Sequence, residues 1–145
     1  MHTKIKKIFI IAGEASGDII GAKLMRSLRK KLNDKIEIEG IGGAQMEKEG
    51  LISLFPMKDI NLMGYLEVLP HIFKLKKLIT LTANHILQYQ PDIVITIDSP
   101  GFNMRVAKNL REAKSQTKLI QIVAPSVWAY KPERAANLAK LYDRL

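Results

Sequence analysis

Cysteine is absent from this 145-residue chain, which excludes disulfides and any thiolate-held metal and leaves the redox compartment unread. The three histidines, His2, His71 and His85, are too scattered to form a ligand set, so no metal site is expected. Acidic residues are also few: 14 Asp and Glu stand against 23 Lys and Arg, a net charge of +9. Such a surplus suits anionic partners (nucleic acid, acidic lipid or phosphorylated metabolites), although a solvated basic surface accounts for it equally well. No apolar run reaches membrane-spanning length. The opening MHTKIKKIFIIAGE has the lysines and apolar stretch of a signal peptide, but the stretch is short and meets Glu14 at once. It reads as a buried strand, and the chain is expected in the cytosol. With 47% hydrophobic and 26% charged residues, residues 1–145 have the composition of one soluble domain.

Lys7 to Ala12 (KIFIIA) is an unbroken, β-branched run, the pattern of a strand buried on both faces. Ile20, Leu24, Leu28 and Leu32 then recur every fourth residue with basic residues between them, which predicts an amphipathic helix ending at Asn33–Asp34. Lys35 to Gly40 alternates as a strand, Gln45 to Glu49 reads as one or two helical turns, and Ile52 to Phe55 as a short strand. The second half of 57–90 is helical up to Pro91. Asp92 to Ile97 (DIVITI) is a strand, followed by a turn at Asp98–Gly101 and a helix marked by Val106, Ala107, Leu110 and Ala113. Leu119 to Val123 is a further strand, and Glu133 to Leu141 a further helix. Apolar strands alternating with helix-length crossovers predict an α/β fold with a doubly wound, mostly parallel, Rossmann-like sheet. Ligands of such sheets sit at the carboxyl ends of the strands.

The loops at that edge carry the polar residues of interest. GEASGD, residues 13–18, matches neither a dinucleotide fingerprint nor a P-loop, and its Glu14 and Asp18 would repel a phosphate. Carboxylates and Ser16 suit sugar hydroxyls instead, while Asp18 could equally serve as a helix cap. Asp98 stands where a buried strand ends, and a partly buried carboxylate is a better base; an aspartate closing a turn is the plainer reading. In APSVWAYKPER, Trp128 and Tyr130 suit a sugar ring or a lipid chain, and Arg134 a phosphate; an aromatic sealing the core is the alternative. In NLMGYLEVLPHIFKLKKLI, Leu66, Leu69, Ile72, Phe73, Leu75 and Ile79 spread over a broad helical arc that includes Lys76. A helix lying on lipid tolerates that lysine, whereas the alternatives are a packed core helix or a contact with another subunit.

These stretches resemble the N-terminal half of the lipid-A-disaccharide synthase family. The likeness rests on AGEASGD, GIGG followed by Gln45-Met46, LMGYLEVLP, PDIVITIDSPGFN and APSVWAYKPER, in that order, across nearly the whole chain. It implies a two-domain GT-B glycosyltransferase that joins UDP-2,3-diacylglucosamine to 2,3-diacylglucosamine 1-phosphate and releases UDP, without a cofactor. It further implies peripheral attachment to the cytoplasmic face of the inner membrane. Asp98 matches the family's essential aspartate. Substrate binding is expected at Glu14, Ser16, Asp18, Met63, Gly64, Glu67, Asn103, Ser126, Trp128 and Arg134, and acyl-chain or membrane contact at Leu66, Leu69, Ile72, Phe73, Leu75 and Lys76. Some relatives carry a carboxylate where Gly101 stands, so no role is transferred there. The chain stops at Tyr142–Leu145, about where the next strand should begin, which reads as a fragment, a split-gene product or a truncated chain. A UDP-sugar half would have to come from elsewhere, activity of the 145 residues alone is not expected, and homo-oligomerisation stays open. Another sugar-nucleotide enzyme, an epimerase or a different GT-B transferase, is the alternative within enzymes. A basic membrane or nucleic-acid module is the alternative outside them, although the spread of basic residues without interleaved aromatics speaks against nucleic acid.

Overall fold

The computed structural model describes residues 6–60, 69–122 and 140–144, with side chains from residue 72 onward in the middle span. Met63, Gly64, Leu66, Glu67, Ser126, Trp128 and Arg134 lie outside the described residues, as does the side chain of Leu69. Strands β1 (Lys6–Ala12), β2 (Ile36–Ile41), β3 (Ile93–Ile97) and β4 (Lys118–Ile122) form a parallel sheet in the order β2-β1-β3-β4. Between them run α1 (Ala15–Lys31), α2 (Ala44–Lys48), α3 (Leu69–Tyr89) and α4 (Pro100–Glu112).

Both faces of the sheet are covered, which is why its strands lack a polar side. Phe9 and Ile11 of β1 point to one face and pack with Val94 and Leu119 beneath α3 and α4. Ile8, Ile10 and Ala12 point to the other and meet Ala22 and Met25 of α1 and Met46 of α2. The α/β doubly wound arrangement expected from the alternation is therefore present. The 52–55 strand is reduced to one parallel bridge, between Ser53 and Gly40.

α3 divides the broad apolar arc read from the sequence. Leu75, Ile79, Ala83 and Ile86, spaced four, four and three residues apart, are buried in the core. Phe73 is 68% exposed and Leu81 46% exposed on the outside, and Lys76 is exposed as well. The lipid-contact reading of Leu75 is thus corrected: 3.6-residue periodicity puts it on the buried side of α3 with Ile79, away from the exposed Phe73 and Lys76.

Beyond β4 the chain returns to the sheet. Arg144 bridges Ile120 in parallel, the Asp143 amide donates to the Leu119 carbonyl at 2.8 Å, and the Gln121 amide donates to the Arg144 carbonyl at 3.0 Å. The Asp143 carboxylate fastens this return by accepting from the Leu119 amide and from Arg111 Nη2, each at 2.8 Å. Those bonds, the Leu119 amide foremost and Arg111 after it, hold the Asp143 carboxyl below its ordinary value of 3.8. A depressed carboxylate stabilises the fold above its ordinary pKa and loses that contribution as pH falls through the lowered value. Urea unfolding of the chain and of Asp143→Asn should therefore differ near pH 6, with the gap narrowing well below pH 3.8. An equal gap at both pH values would show that the carboxylate charge is not the source.

Candidate functional site

Ala12 pairs with Ile97, and Ile97 with Ile122, so the chain leaves β1, β3 and β4 at one edge of the sheet. β2 lies on one side of β1 and β3 on the other, which places the reversal of strand order between β1 and β3. A crevice between diverging connections is where such sheets bind ligands. Here two loops come together. A Cβ on Gly13 would run into the Ser99 side chain and lie 2.8 Å from Ile60 Cγ2, so only glycine lets the first loop approach the third this closely.

The two acids of GEASGD have different fates. Glu14 precedes α1 in an extended conformation (φ −147°) and does not cap the helix with its side chain. It is exposed, as is Ser16 two residues along, and both lie in the connection that follows β1 at this edge. Asp18 is 4% exposed, and its carboxylate accepts three backbone amides from another helix: Gly43 and Gln45 at 2.9 Å and Met46 at 3.0 Å. It is therefore corrected from a ligand, or a cap of its own helix, to the cap of α2. Gly43 permits this, because a Cβ there would stand 2.7 Å from Asp18 Oδ2.

Asp98 ends β3 with φ 50°, and Ser99 follows at φ 44°, ψ 56°. Consecutive left-handed residues other than glycine are uncommon, although Asn33 and Asp34 form a second pair here; the conformation costs roughly 1–2 kcal/mol at a residue such as serine and less at an aspartate. The turn is therefore Asp98–Ser99, and Pro100 opens α4 where the sequence suggested it would close the turn. Proline fits that first helical position because its missing N–H would have no partner there. The Asp98 amide donates to the Ile122 carbonyl at 3.0 Å. Its carbonyl accepts from Asn103 Nδ2 at 2.7 Å and from Gln121 Nε2 at 3.3 Å. The carboxylate itself is half-buried and makes no hydrogen bond to any described residue. Asn103 supports this turn: it is fully buried, with Nδ2 committed to the Asp98 carbonyl and Oδ1 unpartnered among the described residues.

Three residues were missed by sequence reasoning. Thr96, Gln121 and Tyr142 form a buried polar cluster beneath Asp98, with Thr96 Oγ1 bonded to Gln121 Oε1 and 3.3 Å from Tyr142 Oη. Burial pushes the Tyr142 phenol up to about 12. A glutamine inside the apolar run LIQIV was the available signal, and its register partner on β3 is Thr96. Among the described residues no group of His, Asp and Glu could hold a metal ion. The edge thus offers one unengaged carboxylate on a fixed backbone, with Glu14 and Ser16 on the neighbouring loop, a set able to accept hydrogen bonds and a proton from hydroxyl groups.

Removing the α2 cap with Asp18→Ala should lower stability by about 2–4 kcal/mol, because a charge-assisted cap is lost and amides are left without an acceptor. Chemical unfolding measures the loss, and amide exchange should quicken first at Gly43, Gln45 and Met46. A loss under about 0.5 kcal/mol, the size of an ordinary surface change, would refute the capping role.

The lipid-A-disaccharide synthetase family model matches residues 8–145. Lipid-A-disaccharide synthases of Rickettsia bellii (strain OSU 85-389) and Rickettsia prowazekii (strain Madrid E) are 56% and 53% identical to this chain. Each alignment spans 142 residues, 97% of this chain and 37% of the relative, so the chain spans just over a third of the length of these relatives. Among solved structures, the Staphylococcus aureus MnaA–UDP co-structure superposes with a TM-score of 0.63 at 15% identity, covering 97% of this chain and 37% of that one. A putative UDP-N-acetylglucosamine 2-epimerase from Listeria monocytogenes gives a TM-score of 0.62 at 16% identity, with 99% and 38% covered. At such identities the structural likeness concerns the fold, whereas the family model and the rickettsial alignments extend over almost the whole chain. The chain belongs to the lipid-A-disaccharide synthase family.

Proposed function

We propose that this chain is the acceptor-side domain of a GT-B glycosyltransferase of lipid A biosynthesis, with Asp98 as its general base. The acceptor is 2,3-diacylglucosamine 1-phosphate and the donor UDP-2,3-diacylglucosamine. The acceptor 6-hydroxyl oxygen attacks the anomeric carbon of the donor, the bond from that carbon to UDP breaks, and UDP carries off the electron pair. Inversion gives the β-1,6 linkage, and Asp98 takes the hydroxyl proton as the new bond forms. Glu14 and Ser16 accept or donate hydrogen bonds to the acceptor sugar. The donor half, with its UDP site, belongs to sequence beyond these residues. The observation that carries this reading is the Asp98 carboxylate, held at the strand-order reversal on a rigid turn and bonded to no described side chain. It supports a base because the carboxylate is left free to accept a hydrogen bond from an acceptor hydroxyl.

Attachment to the cytoplasmic face of the inner membrane is part of the same proposal. Phe73 and Leu81 share a shallow surface groove on α3 with Lys76 and Lys77, an apolar centre with a cationic rim. Lys74 beside them is paired with Asp59 at 3.3 Å. A bilayer surface matches both features, since the ring can enter the acyl boundary while ammonium groups meet acidic headgroups. No helix among the described residues is long and apolar enough to cross a membrane.

In a full-length synthase carrying this segment, Asp98→Asn should reduce turnover by about 10²–10⁴-fold, the usual worth of a general base. The circular dichroism spectrum should not change, and undiminished turnover would sink the assignment. Separately, the chain with Phe73→Ser and Lys76→Glu should bind vesicles of acidic phospholipid about tenfold or more weakly, given roughly 1.5–3 kcal/mol for a buried phenylalanine and about 1 kcal/mol per lysine. Unaltered co-sedimentation with such vesicles would remove this face from the membrane contact.

A further inference from the structure

The turn that carries Asp98 is supported from beneath by a set of buried polar groups. Gln121 Nε2 lies 3.3 Å from the Asp98 carbonyl oxygen and 3.2 Å from that of Ile122. Both are acceptors, so the amide must present its NH₂ to them; the flipped amide would set carbonyl against carbonyl. Gln121 Oε1 then faces Thr96, whose hydroxyl has to donate to it. Thr96 Oγ1 also lies 3.4 Å from the Ile120 carbonyl and 3.3 Å from Tyr142 Oη, and with its own proton given to Gln121 it can accept from the phenol. The phenol keeps its proton through neutral pH because burial raises its pKa to about 12. Thr96, Gln121 and Tyr142 are 1%, 3% and 6% exposed, and little water competes for their bonds.

We propose that Gln121 and Tyr142 are positioning residues for Asp98: a buried chain of hydrogen bonds from Tyr142 through Thr96 and Gln121 to the Asp98 carbonyl holds the left-handed turn on which the carboxylate is carried. Strands β3 and β4 put Thr96 and Gln121 opposite each other in register, and Tyr142 reaches them from the segment that rejoins the sheet beside β4. The geometry of the site is thereby tied to the chain beyond residue 140. The catalytic meaning of the network rests on the role proposed for Asp98, whereas its effect on the turn does not.

Backbone NMR of this chain reads the turn directly. A left-handed residue gives a strong contact between its own amide and α protons. In Gln121→Leu that contact should be lost at Asp98 and Ser99. Protection of the Asn103 amide, which donates to the Ser99 carbonyl at 3.1 Å, should fall about tenfold, as expected for the loss of a buried hydrogen bond. Amides in the centre of β1 should be unaffected. Tyr142→Phe keeps the ring and removes one donor, so it should produce a smaller change at the same residues. Gln121→Glu supplies the counter-test: protonated, it can still donate to the Asp98 carbonyl, and ionised it cannot. Protection at Asn103 should therefore be restored at low pH and lost as the new carboxyl ionises.

Should Gln121→Leu fail to fold, the other two variants decide the question. An unaltered turn in Tyr142→Phe, together with a pH-independent turn in Gln121→Glu, would overturn the proposal. In a full-length synthase carrying this segment, Tyr142→Phe and Gln121→Glu at high pH should lower kcat several-fold and leave KM unchanged. A loosened turn with unchanged kcat, where Asp98→Asn is inactive, would refute the positioning role. If Asp98→Asn stayed active, the base assignment would fall instead, and the NMR readout would still judge the hydrogen-bond chain.

Discussion

Everything in this domain depends on burying β1 from both sides. From Ile8 to Ala12 the strand has no polar side chain, and all five residues are buried. An apolar strand of this kind is stable only as an inner strand of a sheet with helices on each face. The chain satisfies this by sending α1 across one face and α3 and α4 across the other. β2 and β3 must then lie on opposite sides of β1, and the connections that follow β1 and β3 part company at the strand ends. The crevice is thus a by-product of covering a greasy strand twice. Glycine at position 13 closes the remaining gap between the two loops.

In so apolar a sheet, each buried polar side chain needs a specific partner, and those partners act as ties between distant segments. Asp18 joins the first turn of α1 to the start of α2, because that short helix begins with amides that no preceding turn can satisfy. Gln121 joins β4 to the turn after β3, and Thr96 and Tyr142 join that turn to the segment returning at residues 142–144. Asp143, Arg111 and the Leu141 carbonyl complete the same seam on the surface. Apart from Thr82, which donates to the Leu78 carbonyl of its own helix, the buried polar residues therefore mark where one element has to be registered against another.

What could be read from the sequence was whatever depends on neighbours along the chain. KIFIIA and DIVITI were legible as strands because residue type and local period suffice to define a buried strand, and the helical repeats of α1 and α4 were legible for the same reason. Asp18 was misplaced because its acceptor role is filled by amides at positions 43–46, and no local pattern encodes that distance. The arc of α3 was read too broadly because a wheel shows where side chains point but not where the sheet lies. Leu75 and Phe73 both sit in the arc, and only one of them faces the core. The left-handed pair Asp98–Ser99 was hidden because glycine normally announces such a turn, and here neither residue is glycine. Several family-implied contacts, among them Met63, Glu67, Ser126, Trp128 and Arg134, fall outside the described residues, and their places at the site stand on resemblance alone.

The Asp98 turn would not hold by itself. A left-handed backbone costs roughly 1–2 kcal/mol at a residue such as Ser99 and less at an aspartate, and nothing within the loop from 98 to 100 offsets that. The compensating bonds come from elsewhere: the Ile122 carbonyl and Gln121 amide of β4, and Asn103 one turn into α4. A typical buried hydrogen bond contributes about 1 kcal/mol net, so the contacts of the turn roughly balance its strain, and no single one of them suffices. The conformation of Asp98 thus depends on β4 being docked on β3. A peptide carrying DSPGF would not be expected to present the carboxylate in this way. A carboxylate carried on a left-handed backbone that two other elements, β4 and α4, hold in place has a fixed direction as well as a fixed position. Among the acids at this edge Asp98 is the one whose backbone the fold has over-determined.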